Sequence, residues 1–136
     1  MSNRPQVGIA TFVVKDGKIL MLKRIGAHGA NTWSLPGGHL EYGEEPAQAA
    51  RREAFEELGI QIKNIRLAPY TNDIFEKEDK HYITLFFVAD FDSGAPVIKE
   101  PDRIEDFGWF AWDQMPRPLF LPIENLLKQN FNPFRA

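Results

Sequence analysis

The chain has 136 residues, of which 43% are hydrophobic and 26% are charged, a composition typical of one compact globular domain. Its formal net charge of -3 and scattered basic residues argue against a nucleic-acid partner. The absence of cysteine excludes disulfides, thiolate metal sites and cysteine nucleophiles. No apolar run approaches the roughly 20 residues that span a bilayer, and the start lacks a signal-peptide core. We therefore expect a cytoplasmic protein without a membrane partner.

The first part of the chain predicts three short strands. Residues 7–14 are apolar and rich in β-branched side chains, which favours a strand. The Asp-Gly pair at 16–17 is typical of a hairpin turn, so residues 19–22 are expected to return beside the first strand. Residues 25–32 hold two glycines, an asparagine and a histidine, which indicate a loop. Residues 33–35 are predicted to form a short strand that the following Pro-Gly-Gly sequence ends.

Residues 46–58 form the clearest predicted helix. Pro46 suits the first helical turn, where its missing N–H costs nothing. Gly59 suits the position after the helix, where a left-handed backbone is preferred. Between them, small apolar residues recur at helical spacing and predict close packing on a sheet: Ala47, Ala50, Ala54 and Leu58, with Phe55 beside them.

The second half predicts two more strands and a final helix. Residues 82–91 form a long apolar run, expected to be a buried strand, and 93–102 are predicted to form a loop. Residues 107–112 indicate another strand and 122–130 a second helix. Strands on both sides of a central helix, with another helix at the end, predict an α/β/α sandwich around a mixed β-sheet. We expect this single domain to span residues 1–136.

Three carboxylates share one face of the central helix. Glu53, Glu56 and Glu57 stand at i, i+3 and i+4, and like charges at this spacing destabilise a helix by roughly a few tenths of a kcal/mol per pair. A solvated charged face is one explanation. A site for Mg²⁺ or Mn²⁺ is the other, because these ions prefer carboxylate and carbonyl oxygens. Glu44 ahead of the helix and the exposed backbone of the double glycine favour the metal site.

The segment 38–60 resembles the Nudix box at every defining position. Gly38 is followed by five residues, Glu44, seven residues and then Arg52-Glu53-Ala54-Phe55-Glu56-Glu57-Leu58-Gly59-Ile60. Seven fixed positions match by chance on the order of once in 10⁸ windows, so coincidence is an inadequate explanation. The resemblance implies a Nudix-type α/β/α sandwich. It also implies a hydrolase that cleaves a pyrophosphate bond with Mg²⁺, for which Mn²⁺ can substitute.

The resemblance also implies a set of metal ligands. Glu53 and Glu57 would bind the ion directly, and Glu56 would be the next ligand. The carbonyl of Gly38, or of the glycine before it, would complete the set. Glu44 would brace the site or contact the metal from outside.

Catalytic roles follow from the same resemblance. Arg52 would orient a catalytic glutamate rather than touch the substrate. Glu53 is the first candidate for the general base, with Glu56 as a second catalytic carboxylate. Some Nudix enzymes use a loop glutamate instead, and Glu100 and Glu105 are the loop candidates in this chain.

Outside the box, the chain resembles the MutT-type branch, which hydrolyses nucleoside triphosphates. Residues 33–44 carry the resemblance to this branch. Residues 81–86 and 127–134 resemble one subgroup of it, small homodimeric nucleotide diphosphatases that act on dGTP, dCTP and oxidised or thiolated guanine nucleotides. This implies a nucleotide substrate, with a nucleoside monophosphate and pyrophosphate as products. A homodimer is also expected, and the aromatic-rich segments around Trp109 and Phe131 are its candidate contacts.

The subgroup resemblance implies a base pocket. Thr84 and Leu35 would border it, and the segment from Phe120 to Ile123 would cap it. The subgroup tends to have glycine where this chain has Pro122, which offers no backbone N–H to a base. We therefore expect weak discrimination between guanine and pyrimidine nucleotides.

Three residues near the box are further candidates for substrate contacts. Arg24 ends a predicted strand, and it would either bind a substrate phosphate or form a surface ion pair. His39 follows the double glycine and would either contact the substrate or serve packing. Gly37 would let the backbone approach the substrate closely.

Three hypotheses for function stay open at this point. The leading one is a nucleoside triphosphate diphosphatase. The second is another pyrophosphate substrate, such as ADP-ribose, a dinucleoside polyphosphate or a 5′-triphosphate RNA end. The third is a non-catalytic Nudix module that binds a nucleotide. Intact Glu53, Glu56 and Glu57 favour catalysis, because a binding module has no need to keep all three.

Overall fold

A computed structural model describes residues 3–26 and 28–135. Residues 1, 2, 27 and 136 lie outside the described part. The predicted domain 1–136 contains all four of them, and the predicted loop 25–32 contains residue 27. The described strands and helices follow in this order: β1 Gln6–Lys15, β2 Lys18–Arg24, β3 Trp33–Ser34, β4 Gly37–His39, α1 Pro46–Leu58, β5 Gln61–Leu67, β6 Thr71–Phe75, β7 Lys80–Ser93, β8 Ile104–Ala111 and α2 Leu121–Leu127.

These strands join into one mixed sheet with β1 at its centre. β1 runs parallel to β7 and antiparallel to β2 and β4. β2 also pairs with β3 and β8, while β5 and β6 pair with different parts of β7. The predicted mixed sheet is confirmed.

An apolar cluster lies on each face of the sheet. Successive side chains of a strand point to opposite faces, and the neighbours Val13 and Phe12 accordingly belong to different clusters. The first cluster holds Leu58 and the buried alanines of α1. The second holds Ile123 and Leu126 of α2. The α/β/α sandwich is therefore confirmed, with one helix covering each face.

The two helices differ in how closely they match their predicted bounds. α1 begins at Pro46, and Gly59 follows it with φ 71°, as predicted. α2 ends at Leu127, three residues before its predicted end, and the chain then turns through 128–130. Phe55 is 47% exposed and lies under the Lys99 ammonium, so the expectation that it joins the packed face of α1 is wrong.

Three parts of the sheet depart from the sequence pattern. β5 is not predicted, because Ile62 is the one fully buried residue among its seven. β6 is not predicted, because two of its three buried side chains, Thr71 and Asp73, are polar. The double glycine, predicted to end a strand, belongs to β4 and pairs with β1. A Cβ on Gly37 would overlap the carbonyl oxygen of Ile9, so only glycine allows the two strands to approach this closely. Within the described residues, neither helix is long and apolar enough to cross a membrane.

Candidate active site

A cavity of about 280 Å³ opens between the central strands and the start of α2. Its wall combines residues from β1, β2, β4 and β7 with residues from the loops that follow β2 and β7. The seven residues predicted to contact substrate all line it, together with Gly38 and Glu57: Arg24, Leu35, Gly37, His39, Thr84, Phe120 and Ile123. Residues far apart in the sequence therefore meet at one cavity that reaches the acidic helix.

Glu57 is the carboxylate of α1 that reaches the cavity wall. It is only 5% exposed, and the Gly37 N–H donates a hydrogen bond to its Oε1 at 2.8 Å. Burial raises the pKa of Glu57 well above its usual range, and the negative charge of nearby Glu53 adds to the effect. Negative charge at this position is costly in the metal-free protein.

Glu53 is the second buried carboxylate, and it is 7% exposed. Burial raises its pKa, while a hydrogen bond from Arg52 at 2.6 Å acts in the opposite direction. The Glu53 carboxylate lies against Gly38, where an added Cβ would come within 2.6 Å of it. Gly38 is therefore glycine because the carboxylate occupies the space of a side chain.

Arg52 connects the acidic residues of the box. Its guanidinium donates to both oxygens of Glu44, at 2.7 and 3.1 Å, and to Glu56 at 3.0 Å. It also donates to the His39 carbonyl at 3.0 Å, besides its bond to Glu53. The hydrogen bond with Glu44 is the largest cause of the raised pKa of Arg52. Glu44 thus braces Arg52, and Arg52 holds Glu53 in place.

The donor set for a cation is small but chemically suitable. Among the described residues, no three acidic or histidine side chains converge into a ready-made metal cage. Glu56 is turned toward Arg52, and its side chain is 49% exposed. Mg²⁺ commonly binds through one or two carboxylates and keeps waters and substrate phosphates as its other ligands. Two buried carboxylates, Glu53 and Glu57, beside the backbone of Gly38 fit that pattern.

The two glutamates predicted to lie in loops have different surroundings. Glu100 lies in the loop after β7, whereas Glu105 lies in β8, so its predicted placement in a loop is wrong. Glu105 forms a surface ion pair with Lys23 at 3.0 Å. Glu100 has a buried Oε1 without a hydrogen-bond partner among the described residues, although the Arg103 guanidinium lies 3.6 Å away. The charge of Glu100 also contributes to the raised pKa of Glu53. The structure therefore favours Glu100 over Glu105 as a loop carboxylate for the site.

Two guanidinium groups lie on the cavity wall. Arg24 donates from Nε to the His28 carbonyl at 3.1 Å and stacks over the Phe120 ring at 4.3 Å. Burial lowers the pKa of Arg24, and the charge of Glu57 is the largest opposing influence. Arg24 is thus half-buried on the wall, close enough to Glu57 to feel its charge. Arg103, which the sequence analysis did not single out, lines the same cavity.

One part of the wall is a cluster of aromatic rings, most of which the sequence analysis does not single out. The His28 ring lies 4.5 Å from Phe75, 5.4 Å from Phe120 and 5.6 Å from Tyr82, and its imidazole pairs with Glu78. His28 lies in the loop after β2, Phe75 ends β6 and Tyr82 lies on β7. Their separation along the chain gives no local signal of this cluster.

His39 and Pro122 both lie on the wall. His39 forms a hydrogen-bonded pair with the Tyr82 hydroxyl at 3.0 Å and stacks on its ring, and burial lowers the pKa of His39. Pro122 is buried in the first turn of α2, where a proline needs no N–H partner. Its position suits both a structural role and contact with a bound base.

The fold and the site together define a class of protein. A helix that carries part of the Nudix box packs on a mixed sheet in an α/β/α sandwich. It places Glu57 on the wall of the cavity and Glu53 against the wall residue Gly38. The profile of the NUDIX domain matches residues 2–130. The chain belongs to the Nudix family, whose members generally use divalent metals such as Mg²⁺.

Individual relatives differ in how much of them the chain covers. It is 32% identical over 114 residues to the NAD-capped RNA hydrolase NudC of Pectobacterium atrosepticum, which is 83% of this chain but 42% of that protein. The chain thus spans less than half of the curated relatives that it matches. The structure of a MutT NUDIX hydrolase from Burkholderia pseudomallei has a TM-score of 0.87 and 38% identity, covering 94% of this chain and 99% of that one. A UDP-X diphosphatase structure has a TM-score of 0.72 and 29% identity, covering 92% and 62%.

Proposed function

We propose that the protein is a Mg²⁺-dependent hydrolase that converts a nucleoside triphosphate to a nucleoside monophosphate and pyrophosphate. One observation carries the proposal: a single cavity joins an aromatic wall to Glu57, with Arg24 and Arg103 also on its surface. A nucleotide has matching parts, because its base stacks on aromatic rings and its phosphates pair with guanidinium groups. The bond to be cleaved would then lie near the acidic helix.

Glu53 and Glu57 would hold the metal ion, with the Gly38 carbonyl as a third donor and Glu56 as an auxiliary ligand. When bound, Mg²⁺ neutralises phosphate charge and activates water for attack on phosphorus. Mn²⁺, with the same preference for oxygen ligands, would substitute. Two buried carboxylates with raised pKa values support this assignment, because a bound cation would offset the cost of their burial.

Glu53 would act as the general base in this mechanism. Its raised pKa makes it a stronger base than an ordinary carboxylate, as this role requires. Arg52 would orient Glu53 through their 2.6 Å hydrogen bond and would also hold Glu56 as the second carboxylate. The buried Oε1 of Glu100, which has no hydrogen-bond partner in the described part of the chain, supports Glu100 as the alternative base from a loop.

A second candidate substrate class is a diphosphate that links a nucleoside to another group. The names of the similar proteins, a UDP-X diphosphatase and an NAD-capped RNA hydrolase, favour this class. ADP-ribose and dinucleoside polyphosphates belong to it as well. The same carboxylates and cavity would serve either class, so the substrate must be distinguished by experiment.

A substrate panel with Mg²⁺, scored by kcat/KM, tests the proposal. The panel contains the four dNTPs, ADP-ribose, a UDP-sugar, a dinucleoside tetraphosphate and an NAD-capped oligoribonucleotide. We expect a nucleoside triphosphate to give the highest kcat/KM, with equal amounts of monophosphate and pyrophosphate formed. Preference for a linked diphosphate would select the second class. Nucleotide binding without any hydrolysis would indicate a non-catalytic module.

Pro122→Gly should raise kcat/KM for dGTP relative to dCTP. Glycine restores a backbone N–H on the cavity wall, and a hydrogen bond of this kind changes preference by roughly 1–3 kcal/mol, about tenfold to a hundredfold. The variant should keep its metal requirement and lose a little thermal stability. Pro96→Gly, in a loop outside the cavity wall, is the matched control and should leave the ratio unchanged. A wild type already strongly selective for dGTP would contradict this prediction.

We also propose that the protein is a homodimer, as the subgroup resemblance implies. Trp109 and Phe131 each pack on a phenylalanine of their own chain, with ring centroids 5.7 Å apart, so they are weak candidates for the interface. Three exposed apolar residues are better candidates: Leu67 at the end of β5, Tyr70 in the connection to β6, and Ile74 on β6. Light scattering at micromolar concentration should give about twice the 15.6 kDa chain mass, and a monomer would exclude the dimer.

A further inference from the structure

A buried carboxylate stands behind the cavity wall and takes no part in the proposed chemistry. Asp73 on β6 has no exposed surface. Its Oδ2 accepts hydrogen bonds from the hydroxyls of Thr71 at 2.9 Å and Thr84 at 2.6 Å, and its Oδ1 accepts one from Asn125 Nδ2 at 2.9 Å. Asp73 thus joins β6, β7 and α2 at a position where all of its partners are donors.

This arrangement fixes what Thr84 can offer to a ligand. A hydroxyl has one hydrogen and two lone pairs, and the Thr84 hydrogen is committed to Asp73. Thr84 lies on the wall with 5% of its surface exposed, between the wall residues Tyr82 and Phe86 on the same face of β7. A Cβ on Gly8, another wall residue, would touch Thr84 Oγ1 at 3.4 Å. The oxygen therefore lies at the wall, and it can act only as an acceptor.

Another wall hydroxyl lacks this constraint. Ser34 is 3% exposed and lines the same cavity, and its Oγ has no hydrogen-bond partner among the described residues. A free hydroxyl can rotate to donate or to accept. Ser34 therefore accommodates either polarity in a ligand, whereas Thr84 requires a donor.

We propose that Asp73 is a positioning residue that sets base specificity by holding the Thr84 hydroxyl as an obligate acceptor. The cavity then selects a nucleobase that directs an exocyclic amino group toward Thr84. A carbonyl at that place would face another acceptor, and both would lose their hydrogen bonds on burial. The inference rests on the proposed function only in that a nucleotide occupies the cavity, so binding alone tests it.

Asp73→Asn changes the group that faces Thr71 and Thr84 from a hydrogen-bond acceptor to a donor, with little change in the shape of the side chain. Asn125 Nδ2 also donates to the Asn72 carbonyl at 3.4 Å, which fixes its orientation as a donor toward position 73. The new amide must therefore turn its oxygen to Asn125 and its NH₂ to Thr71 and Thr84. Thr84 then accepts from the amide, and its own hydrogen is free to point into the cavity.

The test measures binding of nucleoside monophosphates by calorimetry in excess chelator. The pairs dGMP and dIMP, dAMP and dIMP, and dCMP and dUMP each compare an amino group with its loss or its replacement by a carbonyl. We expect wild type to bind the amino-bearing member roughly tenfold more tightly in at least one pair. D73N should reduce that ratio to about threefold or less. Equal binding in every wild-type pair, no binding at millimolar concentration, or an unchanged ratio in D73N would overturn the proposal.

Two further variants separate polarity from general loosening. Thr71→Val removes a hydrogen bond from the same Asp73 oxygen but leaves Thr84 as an acceptor, so it should keep the wild-type ratio. Thr84→Val removes the acceptor and should lose the ratio, which gives a second test if D73N does not fold. Loss of the ratio in T71V, or its retention in T84V, would contradict the inference. Failure of hydrolysis with intact binding ratios would count against the proposed function alone.

Discussion

Glu57→Gln should reduce kcat by at least about a hundredfold while the protein stays folded. Loss of a group that only supports a metal ligand typically costs 10- to 100-fold, and a direct ligand should cost no less. The amide can still accept the Gly37 N–H, so the local backbone keeps its 2.8 Å hydrogen bond. Steady-state turnover with saturating Mg²⁺ measures the effect. Glu105→Gln, which removes a surface carboxylate paired with Lys23, should keep turnover close to wild type.

The same variant should change how stability depends on pH. Burial raises the pKa of Glu57 above its unfolded value. Stability from such a carboxyl is fully present below the unfolded pKa, about 4.3, and is lost as pH rises through the folded pKa. Metal-free wild type should therefore lose thermal stability as the pH rises above about 4.3, the unfolded pKa, and E57Q should lose less. Near-normal turnover, or a variant less stable than wild type at pH 7 in chelator, would count against the assigned site.

Excess chelator should abolish hydrolysis, and Mg²⁺ or Mn²⁺ should restore it. A metal ion contributes several kcal/mol of transition-state stabilisation, which corresponds to about a thousandfold in rate or more. Arg24 and Arg103 cannot replace the metal ion. The negatively charged substrate phosphates must come close to the buried carboxylates Glu53 and Glu57, and that repulsion has to be neutralised there. Initial rates across a metal titration provide the measurement. Strong activity in chelator would refute the metal site.

A binding measurement should support the kinetic one. A ligand that binds only the folded state raises its stability, so Mg²⁺ should raise the melting temperature of wild type. The rise should be small or absent in E57Q and should survive in E105Q, because Glu105 pairs with Lys23 at the surface. An equal rise in melting temperature in wild type and E57Q would show that Glu57 is not a ligand of the metal ion.

Local chemistry explains which elements could be predicted. α1 carries its own start, end and apolar spacing, from Pro46 to Gly59, and its predicted bounds match the structure. β6 carries no such signal, because Thr71 and Asp73 are buried by hydrogen bonds rather than by apolar contacts. The strand pairing of the Gly-Gly segment depends on β1, which is distant in the sequence, and local patterns favour a turn there.

The residues of the candidate site likewise fall into those that local spacing predicts and those that it does not. Glu53 and Glu57 belong to one helical motif, so their shared direction follows from sequence spacing alone. The aromatic wall comes from separate segments, and His28 meets Phe75 and Tyr82 only through the antiparallel pairing of β6 with β7 and the path of the loop after β2. Spacing rules cannot predict contacts between such distant segments. The subgroup resemblance did predict that Thr84 and Phe120 belong to the pocket, and both line the cavity.

The parallel pairing of β1 with β7 has a consequence for biosynthesis. Gln6 pairs with Tyr82 and Val14 with Asp90, so the centre of the sheet joins the beginning of the chain to its later half. During translation, the apolar β1 leaves the ribosome long before its parallel partner exists. Such non-local pairing slows folding and exposes early strands to aggregation. On the nascent chain β1 can pair with β2 and β4, but its other edge stays unpaired until β7 is made, and chaperone contact at this stage would cover that edge.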